Sequence, residues 1–561
     1  MENSGEKKDM GDDLSPYAGR WLAIIGGKII SQAGTPHQAL NAAKNSRVKE
    51  TPTIIYIPTN KPLRYIPNVE SIFSSLPDDI PLFLVGGAVR DAILNNETRD
   101  LDFIVPEDGL EVGRKVAERI DAAFYPLDKD RKTGRVIKRN YDGSKLVLDF
   151  TVMQGPDIIS DLQARDFTIN AIAVDVKNPY ELLDPLSGQA DLQTKKLRAC
   201  TPNAFNADPI RIIRGVRLAA ALNFQFDAQT RILMQKSTTL IPESSLERQR
   251  DEFFRILDGP NIAKATLALD ILGALQYLLP ELLELKDLDQ SRPHFENAWH
   301  HSLRTADCLS EIINFITCGS EFQLNDNYIY EHLRRSLNNF IEPLNEHITI
   351  PLNSDRSLIS LLVFAALNHD IGKSVSMQVY NDSETHFYGH GKVGAELILH
   401  RAKKLRLSNS ETTRLTTIVR HHMRPLLLSQ TGKKPSRRAI YRFFRDTGAA
   451  GIDICLLSVA DTLATYNFSP PNQVWDNLLG VVQNLLLAWF HQHSSSISPT
   501  PLVTGNDLID IFGLYSSPKI GELLEVIREA QVEGHIKTKE EAVALVKRHL
   551  QLNNDAEAYQ Q

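Results

Sequence analysis

The chain has 561 residues, of which 42% are hydrophobic and 23% charged, a globular composition in a chain too long for one core, so three or four domains are expected. A formal net charge of −7 excludes a bulk electrostatic nucleic-acid binder, so any RNA contact must come from local basic patches. No apolar run approaches the ~20 residues that span a bilayer; the four cysteines (Cys200, Cys308, Cys318, Cys455) lack CxxC spacing, which argues against zinc ribbons and disulfide frameworks and suits a reducing cytoplasm.

Residues 1–15 are charged and polar and read as a disordered lead-in. Residues 16–60 read as a small α+β accessory module. In RWLAIIGGKIISQAG two short β-type runs flank Gly26-Gly27, a hairpin signal, and a helix from Pro36 to Lys44 and a strand from Thr53 to Ile57 follow. From about 66 to 205 the pattern is an α/β head. LFLV is a buried strand, Gly86-Gly87 a tight turn, Ala88 to Leu94 a helix start, and Asp102 to Val105 and Leu146 to Val152 further strands. Beyond residue 206 the chain reads as helical: a neck to 285, a body over 286–490, and a tail over 502–550. Polar stretches near 319–326 and 337–356 read as surface loops, and His491 to Pro501 as a linker. Lys129 to Arg139, Arg401 to Arg406 and Lys433 to Arg445 are the candidate RNA-contacting patches; the plain alternative for each is a solvated face.

Asp100-Leu101-Asp102 places two carboxylates at i and i+2, which in a strand point to one face. Converging carboxylates repel unless a cation lies between them, so such pairs serve as Mg²⁺ ligands, and Asp149 in the apolar run VLDF offers a third from another strand. Gly86 and Gly87, before a helix start, allow backbone N–H groups to approach a triphosphate. Taken alone, a DxD is more often a solvated acidic turn, and Gly-Gly merely a turn.

With its surroundings the segment becomes specific. LVGGAVRDAILNNETRDLDFIV resembles the head motif of the class II tRNA nucleotidyltransferases and bacterial poly(A) polymerases, of the polymerase β-like superfamily. ARDFTINAIAVD resembles the family's RRDFTINA motif, ADPIRIIRGVRLAA its base-reading EDxxR segment, and LERQRDE its ERxxxE segment. The resemblance implies that Asp100 and Asp102 bind Mg²⁺ with Asp149 as a third catalytic carboxylate. It implies that Gly86, Gly87 and Arg90 hold phosphates, and that Arg165, Asp166 and Asn170 contact the nucleotide. Asp208 and Arg211 would select a base by its Watson–Crick edge, with Arg211, Arg214 and Arg217 forming one basic stripe; the alternative for that stripe is a structural salt-bridge face. The implied substrates are tRNA, CTP and ATP, by two-metal catalysis without a nucleic-acid template.

A second set lies in the helical half: His301, His369-Asp370, His390, His421-His422 and Asp461, with Lys373 following HDIG. Histidine and carboxylate ligands suit divalent transition metals. The order resembles the HD phosphohydrolase superfamily, which implies an HD domain and a possible second, hydrolytic activity. His421 and His422 lie about 100° apart on a helix, so one of them is expected to be a primary ligand. The implied architecture is α+β and multidomain: a polymerase β-like nucleotidyltransferase head, then a mainly α-helical neck and an HD-domain body.

Ala207 and Ala164 depart from the family motifs. Only about fifteen residues separate Asp149 from Arg165, where CCA-adding relatives carry a longer flexible loop, a shortening associated with addition of the two cytidines alone. Enzymes adding only CC or only A, poly(A) polymerases, and a protein that is principally a phosphohydrolase are the alternatives.

Overall fold

The computed structural model describes Tyr17 and residues 20–558, apart from residues 27, 47–49, 58–62, 64–65, 68, 141–142, 180, 319–327, 354–355 and 380–384. The lead-in 1–15 and the polar stretch 319–326 lie outside the described residues. The chain divides into two units, one of residues 1–211 and 224–233, the other of 212–223 and 234–561.

In the first unit, β1 (Arg20–Ile25) pairs antiparallel with β2 (Lys28–Ala33) and β3 (Thr53–Ile57), as the hairpin signal predicts. Gly26 makes the turn at φ +56°, a conformation that costs glycine little. Thr35 caps the helix Pro36–Asn45, whose Ala39 and Ala43 are buried.

The head is a seven-stranded sheet in the order β10-β9-β4-β5-β8-β7-β6. Its strands are β4 (Phe83–Val85), β5 (Asp100–Val105), β6 (Ala123–Asp128), β7 (Thr133–Arg139), β8 (Lys145–Val152), β9 (Ala173–Asp175) and β10 (Leu182–Leu183). Only β5 and β8 run parallel. Alternation splits their residues between two faces. Leu101, Phe103, Leu148 and Phe150 point to the side covered by the helix Gly109–Ile120, where Phe103 and Phe150 stack at 5.2 Å. That helix lies close against the sheet: a Cβ on Gly109 would stand 2.3 Å from the Phe150 carbonyl oxygen, so only glycine fits. The opposite face carries Asp100, Asp102 and Asp149.

The second unit is helical among the described residues apart from the two-stranded pair Gln378–Val379 and Thr385–His386. The helix Ala298–Cys318 packs against Leu358–Asn368 and Ala450–Thr465. Every residue of Ala450–Thr465 is buried, the state expected of a helix apolar nearly all round. The stretch Leu358–Ser376 is long and apolar enough to cross a membrane, but it is 83% buried inside the unit and contains Asp370. The tail helices Gly505–Phe512, Pro518–Glu533 and Lys539–Ala558 share a small core around Leu508, Leu523 and Val546.

Two expected loops are otherwise. Within 337–356, Asn338–Phe340 and Ile341–Ile348 are helical, because Leu344 and Ile348 are buried and His347 meets Asp453 at 2.8 Å in the interior. Within 491–501, one helical turn forms at His493–Ser496, with Trp489 against His493. All four cysteines are free.

Candidate active site of the head and metal centre of the helical unit

The parallel register sets Asp102 directly beside Asp149, and Asp100 beside Val147. The i, i+2 spacing therefore does what it predicts: three carboxylates share one face. Asp102 is open to solvent on that face but crowded by protein on its other sides, and this crowding and then Asp149 push its carboxyl up to about 6. Arg165 and Arg135 oppose the shift. Clustered acceptors with a carboxyl raised by its neighbour are the chemistry that a divalent cation relieves.

Gly86 faces this cluster at φ +75°. A Cβ there would come within 3.3 Å of Arg165 Nη1 and 3.5 Å of Asp102 Oδ2, so the glycine keeps the approach clear. Arg165 is held by Asp161, buried at 4% exposure, through Nε and Nη2 at 3.2 and 3.1 Å. Arg90 donates to Asn170 at 2.7 Å, Asn170 donates to Asp166 at 3.1 Å, and Asp166 also accepts from the Phe167 N–H at 2.7 Å. Arg90 thus joins Asn170 and Asp166, some 80 residues further on, in one chain of hydrogen bonds. Arg211 reaches the Ala164 carbonyl at 2.8 Å and that of Arg165 at 3.1 Å, with Asp208 at 3.9 Å.

Two residues with roles here went unassigned in sequence. Arg135, read only as part of an RNA-contacting patch, instead binds Asp149. Asp161 fixes Arg165 from four residues away, a spacing that gives no signal until the short helix Ile158–Gln163 is known.

In the second unit, Arg214 and Arg217 are not an open basic stripe. Both donate to Glu252, at 3.0 and 2.8 Å. Burial alone would raise Glu252, but Arg217 and Arg214 outweigh it and hold the carboxyl low. The other basic patches are also partly consumed: Arg401 binds Glu281, Arg406 meets Glu247, and Arg438 and Arg442 bind Glu529.

The histidine–aspartate set converges. His301 Nε2 lies 2.9 Å from Asp461 and 3.6 Å from Asp370; His369 Nε2 lies 3.2 Å from Asp370. On the other side of Asp370, His390 and His422 approach at 3.4 and 3.7 Å and stand 3.1 Å apart. Two ligand triads, His301-His369-Asp370 and Asp370-His390-His422, therefore share one carboxylate. The Nδ1 atoms of His369, His390 and His422 each lie within 2.8 Å of a backbone carbonyl three residues earlier, which aims Nε2 inward as in ligating histidines. Although Asp461 and Lys373 are at ion-pair distance, no well-oriented hydrogen bond reaches His301 Nε2, His369 Nε2 or Asp370 Oδ2. Orphaned buried donors and acceptors around one point fit a divalent metal. Burial would lower His369, but Asp370 and Asp461 carry it to about 10; burial and the neighbouring imidazoles push His422 down to about 3. His422, not His421, joins the cluster, because the helix Asn409–His421 turns His421 away. His294, unassigned in sequence, packs its ring 5.0 Å from His301, and burial lowers it to about 4.

An α/β head with three carboxylates opposite a glycine turn, joined to a helical unit with its own histidine–aspartate centre, defines a nucleotidyltransferase with an HD-type second domain. Residues 82–198 match the poly(A) polymerase head-domain family, 223–285 the RNA- and SrmB-binding-site family of polymerase A, 299–466 the HD domain, and 489–546 the tRNA nucleotidyltransferase domain 2. Residues 13–60 match a family of unknown function. The chain is 29% identical to the A-adding tRNA nucleotidyltransferase of Deinococcus radiodurans over 471 residues, covering 83% of this chain and 94% of that one. It is 29% identical to the CC-adding tRNA nucleotidyltransferase of Geobacter sulfurreducens over 460 residues, covering 82% and 90%. The solved structure of a CCA-adding enzyme with CTP shares the fold at a TM-score of 0.53 and 19% identity, over 87% of this chain and 95% of that one. These matches support a class II tRNA nucleotidyltransferase with an HD domain in its helical unit. Members of this family use divalent metal.

Proposed function

We propose that the chain adds cytidine, adenosine or both to the 3′ end of tRNA, taking them from CTP and ATP, with Asp100 and Asp102 as its Mg²⁺ ligands. The observation that carries this reading is the in-register placement of Asp102 and Asp149 opposite Gly86 and Arg165. Bound divalent cations would activate the attacking hydroxyl and neutralise the leaving pyrophosphate. The protein's own groups supply position. Gly86 leaves room for phosphates, Arg165 presents a cation fixed by Asp161, and the Arg90–Asn170–Asp166 chain offers a braced surface to the sugar and phosphates. Asp208 and Arg211 are the proposed base readers, an acceptor for the exocyclic amine that cytosine and adenine share and a donor for ring nitrogen or carbonyl.

Half of the connection between β8 and Arg165 is the short helix Ile158–Gln163, capped by Asp157. It leaves no room for a long flexible loop, which favours partial addition, of CC before A. Incubation with tRNA transcripts ending before CCA, CC or A, followed by sequencing of the products, decides among these. Long A tails on unrelated RNA would replace this reading with a poly(A) polymerase.

A second, hydrolytic activity is favoured by the shared-carboxylate cluster around Asp370. His301, His369, Asp370, His390, His422 and Asp461 are the proposed ligands of divalent transition metal. Lys373, buried and 2.6 Å from both Asp370 and Gln290, is the cation that a phosphate would meet on displacing one of these partners. If His369→Ala with Asp370→Ala abolishes a phosphatase or cyclic phosphodiesterase activity while nucleotide addition persists, the two centres are separate.

A further inference from the structure

The sheet face that bears the carboxylates continues past Asp149 to the edge of the sheet. Asp149 is paired with Arg135 on β7, and Arg135 with Tyr125 on β6. Directly paired residues share a face, so Asp102, Asp149, Arg135 and Tyr125 form one row running across four strands. The alternate residue Phe124 points the other way, packing on Gly113 with Arg114 over its ring. Tyr125 is 50% exposed, whereas Leu127 lies where the register shifts between Pro126 and Asp128 and falls outside the row. A half-exposed aromatic ring at the end of a row that begins at the carboxylates offers an open stacking face.

We infer that Tyr125 forms a stacking platform for the single-stranded 3′ end of the RNA substrate, steering its terminal hydroxyl toward Asp102. This rests on the nucleotide-adding activity proposed above. Three facts favour RNA as the occupant. The row is continuous with the carboxylate cluster, and three strand spacings put Tyr125 about 14 Å from Asp102, within reach of the nucleotides just before the reacting terminus. Exposed cations mark both ends of the β6–β7 hairpin, Lys129 at its tip and Arg139 at its far end, while Arg131 and Lys132 lie 3.8 and 3.7 Å from Asp128 and Asp108. A phenol ring accepts any base face, as an untemplated enzyme needs when its primer end changes with each addition.

β6 is the edge strand and Tyr125 faces solvent, so Tyr125→Ala leaves the head folded, which a melting curve checks. Steady-state addition of CTP to a tRNA transcript lacking its last three nucleotides is then compared in wild type, Tyr125→Ala and Tyr125→Phe. Loss of one stacked base raises KM for tRNA about tenfold in Tyr125→Ala, leaves KM for CTP unchanged, and is rescued by Tyr125→Phe. An unchanged tRNA KM in Tyr125→Ala, or a Phe variant as impaired as Ala, overturns the platform. Anisotropy of the same labelled tRNA, without nucleotide, separates this from the activity itself. If wild type binds the tRNA about tenfold more tightly than Tyr125→Ala but adds nothing, the platform stands and the proposed activity falls.

Discussion

Arg135 donates two parallel hydrogen bonds to Asp149, 2.8 and 2.7 Å long, while Asp149 stands beside Asp102 in the neighbouring strand. The guanidinium thus faces the acidic cluster from the side away from Gly86, and is one of the charges that hold Asp102 down.

Removing that charge leaves Asp102 with crowding and carboxylate repulsion less opposed, so its pKa rises further. Since a protonated Asp102 is a poor metal ligand, Arg135→Ala is expected to move the acid limb of the pH–rate profile for nucleotide addition upward. Arg135→Lys, which keeps the charge but not the paired geometry, should leave the limb near its wild-type position. Profiles at saturating Mg²⁺ test this, and an unmoved limb in Arg135→Ala contradicts it.

Asp102 itself carries a sign that stability measurements can read. Its folded pKa of about 6 lies above the ordinary aspartate value of 3.8, so the folded state binds more protons between these values. Its contribution to stability is therefore greatest at low pH and falls as pH rises through 6. Asp102→Asn removes the repulsion, so in metal-free protein it should raise the head's Tm at pH 8 by roughly 1–2 °C. The gain should vanish toward pH 4, while addition is lost by orders of magnitude. Scanning calorimetry with chelator present shows the difference, and a lower Tm at pH 8 would refute the repulsion argument.

The same contrast between local and distant determinants explains what could be read from sequence. Asp100 and Asp102 were legible because strand alternation fixes their common face whatever packs around them. Arg135 was not, because its partner is set by the β7–β8 register, and a basic run looks alike whether it meets RNA or a carboxylate. Arg438 and Arg442 meet Glu529 about 90 residues away, so no spacing rule announces their neutralisation. His422 could not be told from His421, since helix rotation is decided by packing. The segment 337–356 looked polar enough for a loop because the buried Asp453 that satisfies His347 lies more than 100 residues further on.

For the metal centre, His369 is raised to about 10 by Asp370 and Asp461, despite burial, and so is protonated at neutral pH without metal. Metal must displace that proton. Titration of Zn²⁺ or Mn²⁺ into chelator-stripped protein, in buffers of differing ionisation enthalpy, should show at least one proton released per ion and weaker binding as pH falls. His369→Ala should bind metal at least tenfold more weakly, whereas His421→Ala should bind it like wild type. Equal loss in both variants would remove the distinction between the adjacent histidines.

The last prediction concerns Glu252, the final residue of LERQRDE, which is 4% exposed and joins Arg214 to Arg217. Its depressed pKa means that it contributes stability above about pH 4.5, and this is lost as pH falls through the folded value. Glu252→Ala leaves two guanidiniums without their shared acceptor. Because each arginine side chain is only about 30% exposed, screening reduces the full buried-pair cost, and about 1–3 kcal/mol of destabilisation is expected at pH 7. Glu252→Gln keeps an acceptor but not the charge and should lose less. If Arg214 and Arg217 act only as a structural brace, the residual activity of a folded Glu252→Gln protein should show unchanged KM for CTP and ATP. If the clamp also orients them toward the nucleotide, KM for nucleotides should rise several-fold while KM for tRNA stays constant. That split, measured well below the melting temperature of the variant, assigns the arginine pair to one role or the other.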